Sequence, residues 1–96
     1  MRVTWRLPPA ILAEAGGSRT VEQELPGTEC TVREALSAFV SGQPKLAERI
    51  LDDQGEVRRH VNIFVGDEMI RFLQGLDTPV HDGDELTIFH AVSGGV

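Results

Sequence analysis

Asp82-Gly83-Asp84-Glu85-Leu86-Thr87-Ile88-Phe89-His90-Ala91-Val92-Ser93-Gly94-Gly95-Val96 governs how the other residues are read. Asp-Gly-Asp is a turn signal. The run after it alternates, which predicts a strand with Leu86, Ile88 and His90 on one face and Thr87, Phe89 and Ala91 on the other. Ser93-Gly94-Gly95-Val96 then follows with no hydrophobic residue except Val96 to hold it down. This pattern predicts a core strand that ends almost at once in a thin, mobile arm. The expected functional group is the carboxylate at the end of that arm, with the rest of the chain as its handle.

Ninety-six residues make one small domain, and a chain of this length can bury about two-thirds of its unfolded surface in a single core. Cys30 is the only cysteine. An intrachain disulfide, a four-cysteine iron–sulfur cluster and a thiolate zinc site are therefore excluded, and a reducing compartment is expected. The opening Met-Arg-Val-Thr-Trp-Arg does not read as a signal peptide, and no apolar run has the length of a membrane span. The expected location is the cytoplasm, without membrane attachment. The formal net charge is −6 and Lys45 is the only lysine. Nucleic-acid binding rests on clustered cations, so it is not expected here. An acidic surface is compatible with steering onto a basic partner protein.

Upstream of the last strand, Val3, Trp5 and Leu7 alternate with Arg2, Thr4 and Arg6, which predicts a half-buried strand over residues 2–7, stopped by Pro8-Pro9. Residues 10–18 read as a loop whose Ile11 and Leu12 can tuck onto the core. Thr20 to Leu25 read as a second strand, paired to the first as a hairpin. Thr31 to Val40 carry the helix signal. Thr31 and Glu34 form a capping box, Val32, Leu36, Phe39 and Val40 share one face, and Gly42 and Pro44 mark the stop. Lys45 to Leu51 read as a further turn or two of helix. A third strand is expected over His60 to Val65 and a short edge strand within Met69 to Leu73. Gln74 to His81 read as an irregular connection, with Pro79 arguing against regular strand.

This order predicts an α+β domain in which a mixed sheet of four or five strands is crossed by one main helix. Trp5, Leu36, Phe39, Val61, Ile63, Leu86 and Ile88 are the expected core. The domain is expected over residues 1–92 and the diglycine tail over 93–96.

With that order, the ending resembles the ubiquitin-like β-grasp sulfur carriers, a family that includes the thiamin sulfur carrier and the small subunit of molybdopterin synthase. Asp82 to Leu86, Phe89, Val92 and Gly94-Gly95 match its final turn, strand and tail. Val61 to Glu68 resemble its third strand and the turn after it. Gly16-Gly17 and the stretch from Val61-Asn62 to Arg71-Phe72 look most like the actinobacterial cysteine-pathway branch. Val96 departs from the pattern, because active members usually end at the second glycine.

The resemblance implies that a peptidase removes Val96 and that an ATP-dependent, ubiquitin-activating-type enzyme adenylates Gly95. Sulfur from a persulfide donor or sulfurtransferase then gives a Gly95 thiocarboxylate, which a sulfur-inserting biosynthetic enzyme consumes. The product would be cysteine, a thiolated natural product, molybdopterin or thiamin. On this reading the chain is not an enzyme, binds no cofactor or metal, and leaves ATP to its activating partner. Glycine lets a backbone thread a narrow channel, and Val92, Ser93, Gly94 and Gly95, extended, reach on the order of 10 Å into a partner. Ordering such a tail costs entropy, so a docking surface on the body is expected. Phe72, Leu73, Phe89 and Ala91 are its candidates, with a second core face as the competing reading for Phe72 and Phe89. A monomer is expected in isolation. Two other readings stay open: a ubiquitin-like modifier joined to lysines through Gly95, and a β-grasp interaction module whose tail is incidental.

The remaining polar groups read as structural. Cys30 has no paired base and is expected to be a small buried residue. His60, His81 and His90 lack metal-ligand spacing. Asp52-Asp53 and Asp82, Asp84 and Glu85 lack the EF-hand pattern and read as turn formers.

Overall fold

The computed structural model describes residues 1–90. Among the described residues there are seven strands and two α-helices: β1 (Arg2–Arg6), β2 (Thr20–Glu24), β3 (Glu29–Thr31), α1 (Val32–Phe39), α2 (Pro44–Ile50), β4 (Val61–Val65), β5 (Glu68–Met69), β6 (Pro79–His81) and β7 (Glu85–His90). Five strands form one mixed sheet in the order β2-β1-β7-β4-β5, and β3 pairs with β6 in a separate two-stranded sheet. β7 is the central strand. It runs parallel to β1, with Trp5 beside Leu86, and antiparallel to β4, with Ile63 beside Ile88.

Alternation decides which face of this sheet is dry. Val3 and Trp5, Val61 and Ile63, and Leu86 and Ile88 are all buried. Against them α1 lays Val32, Ala35, Leu36 and Phe39, and α2 adds Leu46 and Ile50. Trp5 stacks on Phe39 with ring centroids 4.7 Å apart and planes 15° apart. Its indole Nε1–H donates to Gln23 Oε1 at 2.7 Å, and Gln23 Nε2 donates onward to the Ala35 carbonyl at 3.1 Å. A single glutamine thus satisfies the buried indole and fastens β2 to α1.

The capping box is complete. The Glu34 N–H donates to Thr31 Oγ1 at 3.1 Å and the Thr31 N–H donates to Glu34 Oε1 at 2.9 Å, which satisfies two N–H groups that the first helical turn cannot pair internally. α2 starts at Pro44, where proline's missing N–H costs nothing.

The Asp-Gly-Asp turn works as a clamp. Asp82 Oδ1 accepts the Arg2 N–H and Asp84 Oδ2 accepts the His81 N–H, both at 2.8 Å. The Gly83 N–H donates to the Arg2 carbonyl at 2.8 Å and the Thr4 N–H to the Asp84 carbonyl at 3.1 Å. Gly83 has φ +87°, a conformation that residues with a Cβ rarely adopt. Both ends of this turn hold the start of β1, and that fixes the parallel register of β1 on β7.

Two sequence expectations need correction. Met69 to Leu73 contribute only Met69 to a strand; Ile70–Phe72 is a 3-10 turn. Ile70 turns inward to a buried position beside the core, which breaks the alternation an edge strand needs. Pro79–His81 is a strand despite its proline. Pro79 sits at the end of the short ladder, opposite Thr31, where the connection is made instead by the Val32 N–H donating to the Thr78 carbonyl at 2.9 Å. The second helical piece is a helix of seven residues, about the two turns expected of it.

Candidate docking face and tail root

β7 sends Leu86 and Ile88 into the core and Thr87 and Phe89 to the opposite face of the sheet. Phe89 is 57% exposed, which removes the second-core reading for it. Across the ladder it faces Asn62 of β4. Asn62 Oδ1 accepts a hydrogen bond from an Arg71 guanidinium nitrogen at 3.1 Å. The next two residues are Phe72, 76% exposed, and Leu73, 41% exposed. Phe89 is therefore tied through Asn62 and Arg71 to the segment that displays Phe72 and Leu73. These three are the large hydrophobic side chains left in the open among the described residues. Ala91, the fourth docking candidate, lies outside the described residues, as do Val92, Ser93, Gly94, Gly95 and Val96.

Phe89 also borders a groove of about 430 Å³ lined by Arg6, Pro8, Pro9, Arg19 and Thr87. This groove was not foreseen. β1 pairs with β7 only as far as Arg6 opposite Thr87, and the two prolines then lead the chain away. The gap is thus a direct result of Pro8-Pro9 at the end of β1, and that dipeptide was the available signal.

At the end of β7, His90 meets His60 edge to face, with ring centroids 4.5 Å apart. Burial, the neighbouring His60 and the Arg49 charge, in that order, push the His90 pKa below its ordinary value. Its folded pKa is then below its unfolded pKa, so the unfolded chain binds more protons between the two values. The contribution of His90 to stability is intact above about pH 6.5 and is lost as the pH falls through its folded pKa. Urea midpoints should therefore decline from pH 7.5 to pH 5, and H90Q should flatten that decline; an unchanged slope would remove His90 from the account.

The other polar groups serve the fold. Burial, then Glu34 and Glu29, push the Cys30 thiol upward, which makes thiolate scarce. Asp52 Oδ1 accepts the Gln54 and Glu56 N–H groups at 2.9 and 3.0 Å, as the turn-forming reading of that acidic pair requires. Among the described residues no group of three His, Cys, Asp or Glu side chains could hold a metal ion. No helix among them is long and apolar enough to cross a membrane.

Residues 9–95 match the ThiS family. The sulfur carrier protein CysO of Mycobacterium tuberculosis (strain ATCC 25618 / H37Rv) is 35% identical over 97 residues, spanning 99% of this chain and all of that one. Small archaeal modifier protein 1 of Haloferax volcanii is 41% identical over 91 residues, 95% of this chain and 98% of that one. Among solved structures, a chain in the Amycolatopsis orientalis BexX/CysO complex superposes with a TM-score of 0.80 at 35% identity, covering 97% of this chain and 99% of that one. A sheet with this strand order, a capped helix across it and relatives matched over nearly their whole length leave one assignment: the chain belongs to the ThiS family of β-grasp sulfur carriers and ubiquitin-like modifiers.

Proposed function

We propose that this chain is a sulfur carrier that works through Gly95 once Val96 has been removed. The observation that carries the reading is the family match over residues 9–95, which includes the diglycine. A carboxylate is a poor electrophile, so activation comes first. The Gly95 carboxylate attacks the α-phosphorus of ATP on an activating enzyme, giving the acyl adenylate and releasing pyrophosphate. A persulfide sulfur then displaces AMP, forming an acyl disulfide. A second thiol reduces that bond, leaving the Gly95 thiocarboxylate and a disulfide on the donor side. The carrier supplies no general acid or base to these steps; its partners do. Its own contribution is position: the exposed Phe89, with Phe72 and Leu73 beyond Asn62 and Arg71, forms the docking surface. Aromatic side chains in such places carry much of an interface's energy. The acceptor is a biosynthetic enzyme that inserts sulfur into a small molecule.

Intact mass of the chain purified from its own host tests the proposal. Loss of one valine, with a fraction of molecules carrying sulfur in place of one oxygen, is the expected result. Retention of Val96 in every molecule after incubation with host extract and ATP would overturn it. The 41% identity to an archaeal modifier protein supports a second use of the same activated glycine, in an isopeptide bond to lysine. Recovery of lysine conjugates of this chain from its host, by mass spectrometry of tryptic remnants, would establish that use.

A further inference from the structure

A second groove lies on the β4 side of β7, across that strand from Pro8-Pro9 at the end of β1. It has a volume of about 260 Å³ and runs beside β4, between the segment before that strand and the one after β5. Arg58, Arg59 and Arg71 line it, with Glu56 as the one carboxylate among its lining residues. In a chain of net charge −6, this is a local reversal of sign.

Among the described residues, ion pairs engage Arg2, Arg6 and Arg33, and none engages Arg58, Arg59 or Arg71. Two of the three are nevertheless held in place, by neutral acceptors. Arg58 Nε donates to the Glu48 carbonyl at 2.5 Å, and an Arg71 terminal nitrogen donates to Asn62 Oδ1 at 3.1 Å. Each of these bonds uses one nitrogen of a guanidinium, so the remaining N–H groups keep their charge and their fork geometry for a carboxylate. Between the arginines the groove is apolar, with Val57, Met69 and the buried Ile70 among its lining.

The strand beside the groove sets the shape of what fits. β5 pairs with β4 only at Phe64 and Val65. Along Val61 to Ile63, β4 has β7 on one side and no strand among the described residues on the groove side, where the Val61 N–H donates to the Arg58 carbonyl at 2.9 Å. An extended segment laid there follows the edge of the sheet, with alternate side chains directed to the apolar lining and to the arginines. Nucleic acid would be repelled by the acidic remainder of the surface.

We propose that this groove binds an extended, acidic segment of a partner protein, in which carboxylates alternate with aliphatic residues. Carboxylates of the segment pair with Arg59 and Arg71, and its aliphatic side chains rest against Val57 and Met69. Asn62 links this groove to Phe89, so such a segment would extend a contact made on the outer face. The binding requires neither ATP nor a free Gly95.

The test is an amide nitrogen–proton NMR titration of the full chain with the peptide acetyl-Glu-Leu-Glu-Val-Glu-Leu-amide, with acetyl-Lys-Leu-Lys-Val-Lys-Leu-amide as control. Saturable shifts are expected at Arg59, Asn62, Arg71 and Gly75 with the acidic peptide only. They should weaken as sodium chloride rises from about 50 to about 300 mM. R59Q/R71Q, which keeps the Arg58 bond to α2, should weaken the affinity by about tenfold, as expected for two lost charge-assisted bonds. Unchanged affinity in that variant, shifts centred on Arg6 and Arg19, equal binding of the lysine peptide, or equal shifts from inorganic phosphate would each overturn the proposal. A chain retaining Val96 should bind equally well, so a failure of the sulfur-carrier reading leaves this result standing, and the converse also holds.

Discussion

Relative to the chain ending at Gly95, deletion of residues 94–96 is expected to reduce ATP–pyrophosphate exchange by the proposed activating enzyme to background, because the new terminal carboxylate, on Ser93, falls two residues short of the position to be adenylated. The same deletion should leave the thermal midpoint within about 1 °C of the parent, since it removes none of the strands or core residues described within residues 1–90. F89D separates docking from chemistry. Phe89 is 57% exposed, so its replacement should change stability by about 1 kcal/mol, the span of strand preferences between Phe and Asp. Placing a charge in the middle of an apolar contact should raise the KM for the carrier about tenfold, with kcat little changed. Undiminished exchange by the truncated chain would mean that the tail is incidental and would favour the interaction-module reading. Unchanged KM in F89D would move the docking surface elsewhere.

The largest effect on stability is expected from W5A. Trp5 is fully buried, stacked on Phe39 and joined through Gln23 to the backbone of α1. Truncation opens a cavity at the centre of the core at a cost of about 3–5 kcal/mol, and it also strands Gln23 without its indole donor. A domain of this size has on the order of 5–10 kcal/mol to lose. The thermal midpoint should fall by about 15 °C or more, with part of the population unfolded at 37 °C. W5F keeps the stack and loses the indole hydrogen bond, so it should fall between W5A and the parent. Chemical denaturation followed by far-ultraviolet circular dichroism measures all three. A loss below about 1 kcal/mol in W5A would contradict the packing described.

Local signals carried most of the fold. Thr31 and Glu34 declared the start of α1, alternation declared β1, β4 and β7, and the predicted core residues are all buried. Each of these patterns is completed within a few neighbouring residues. The pairing of β3 with β6 is not of that kind. It joins two three-residue strands about fifty residues apart in sequence, one of them beginning with proline, and neither has an alternating run long enough to announce itself. Ile70 misled for a related reason, since its inward turn answers a space in the core that other segments create. At the candidate site, Phe89 was legible because its strand alternates. Its partnership with Asn62 depends on the register of β4 on β7, and the arginine groove depends on bringing residues 56–62 beside 69–76. The tail expectations for Val92 to Val96 fall beyond the described residues and stand as part of the proposal.

The position of β7 has a consequence for how the molecule is made. The strand that joins the β1–β2 hairpin to the β4–β5 hairpin is later in the sequence than every other element among the described residues. A nascent chain therefore carries two half-sheets with no strand between them until β7 has emerged. A fragment broken off before β7 would lack the middle of its sheet and fall to proteolysis instead of competing with the finished protein for its partners. A closed sheet thus requires that translation has passed the last described strand.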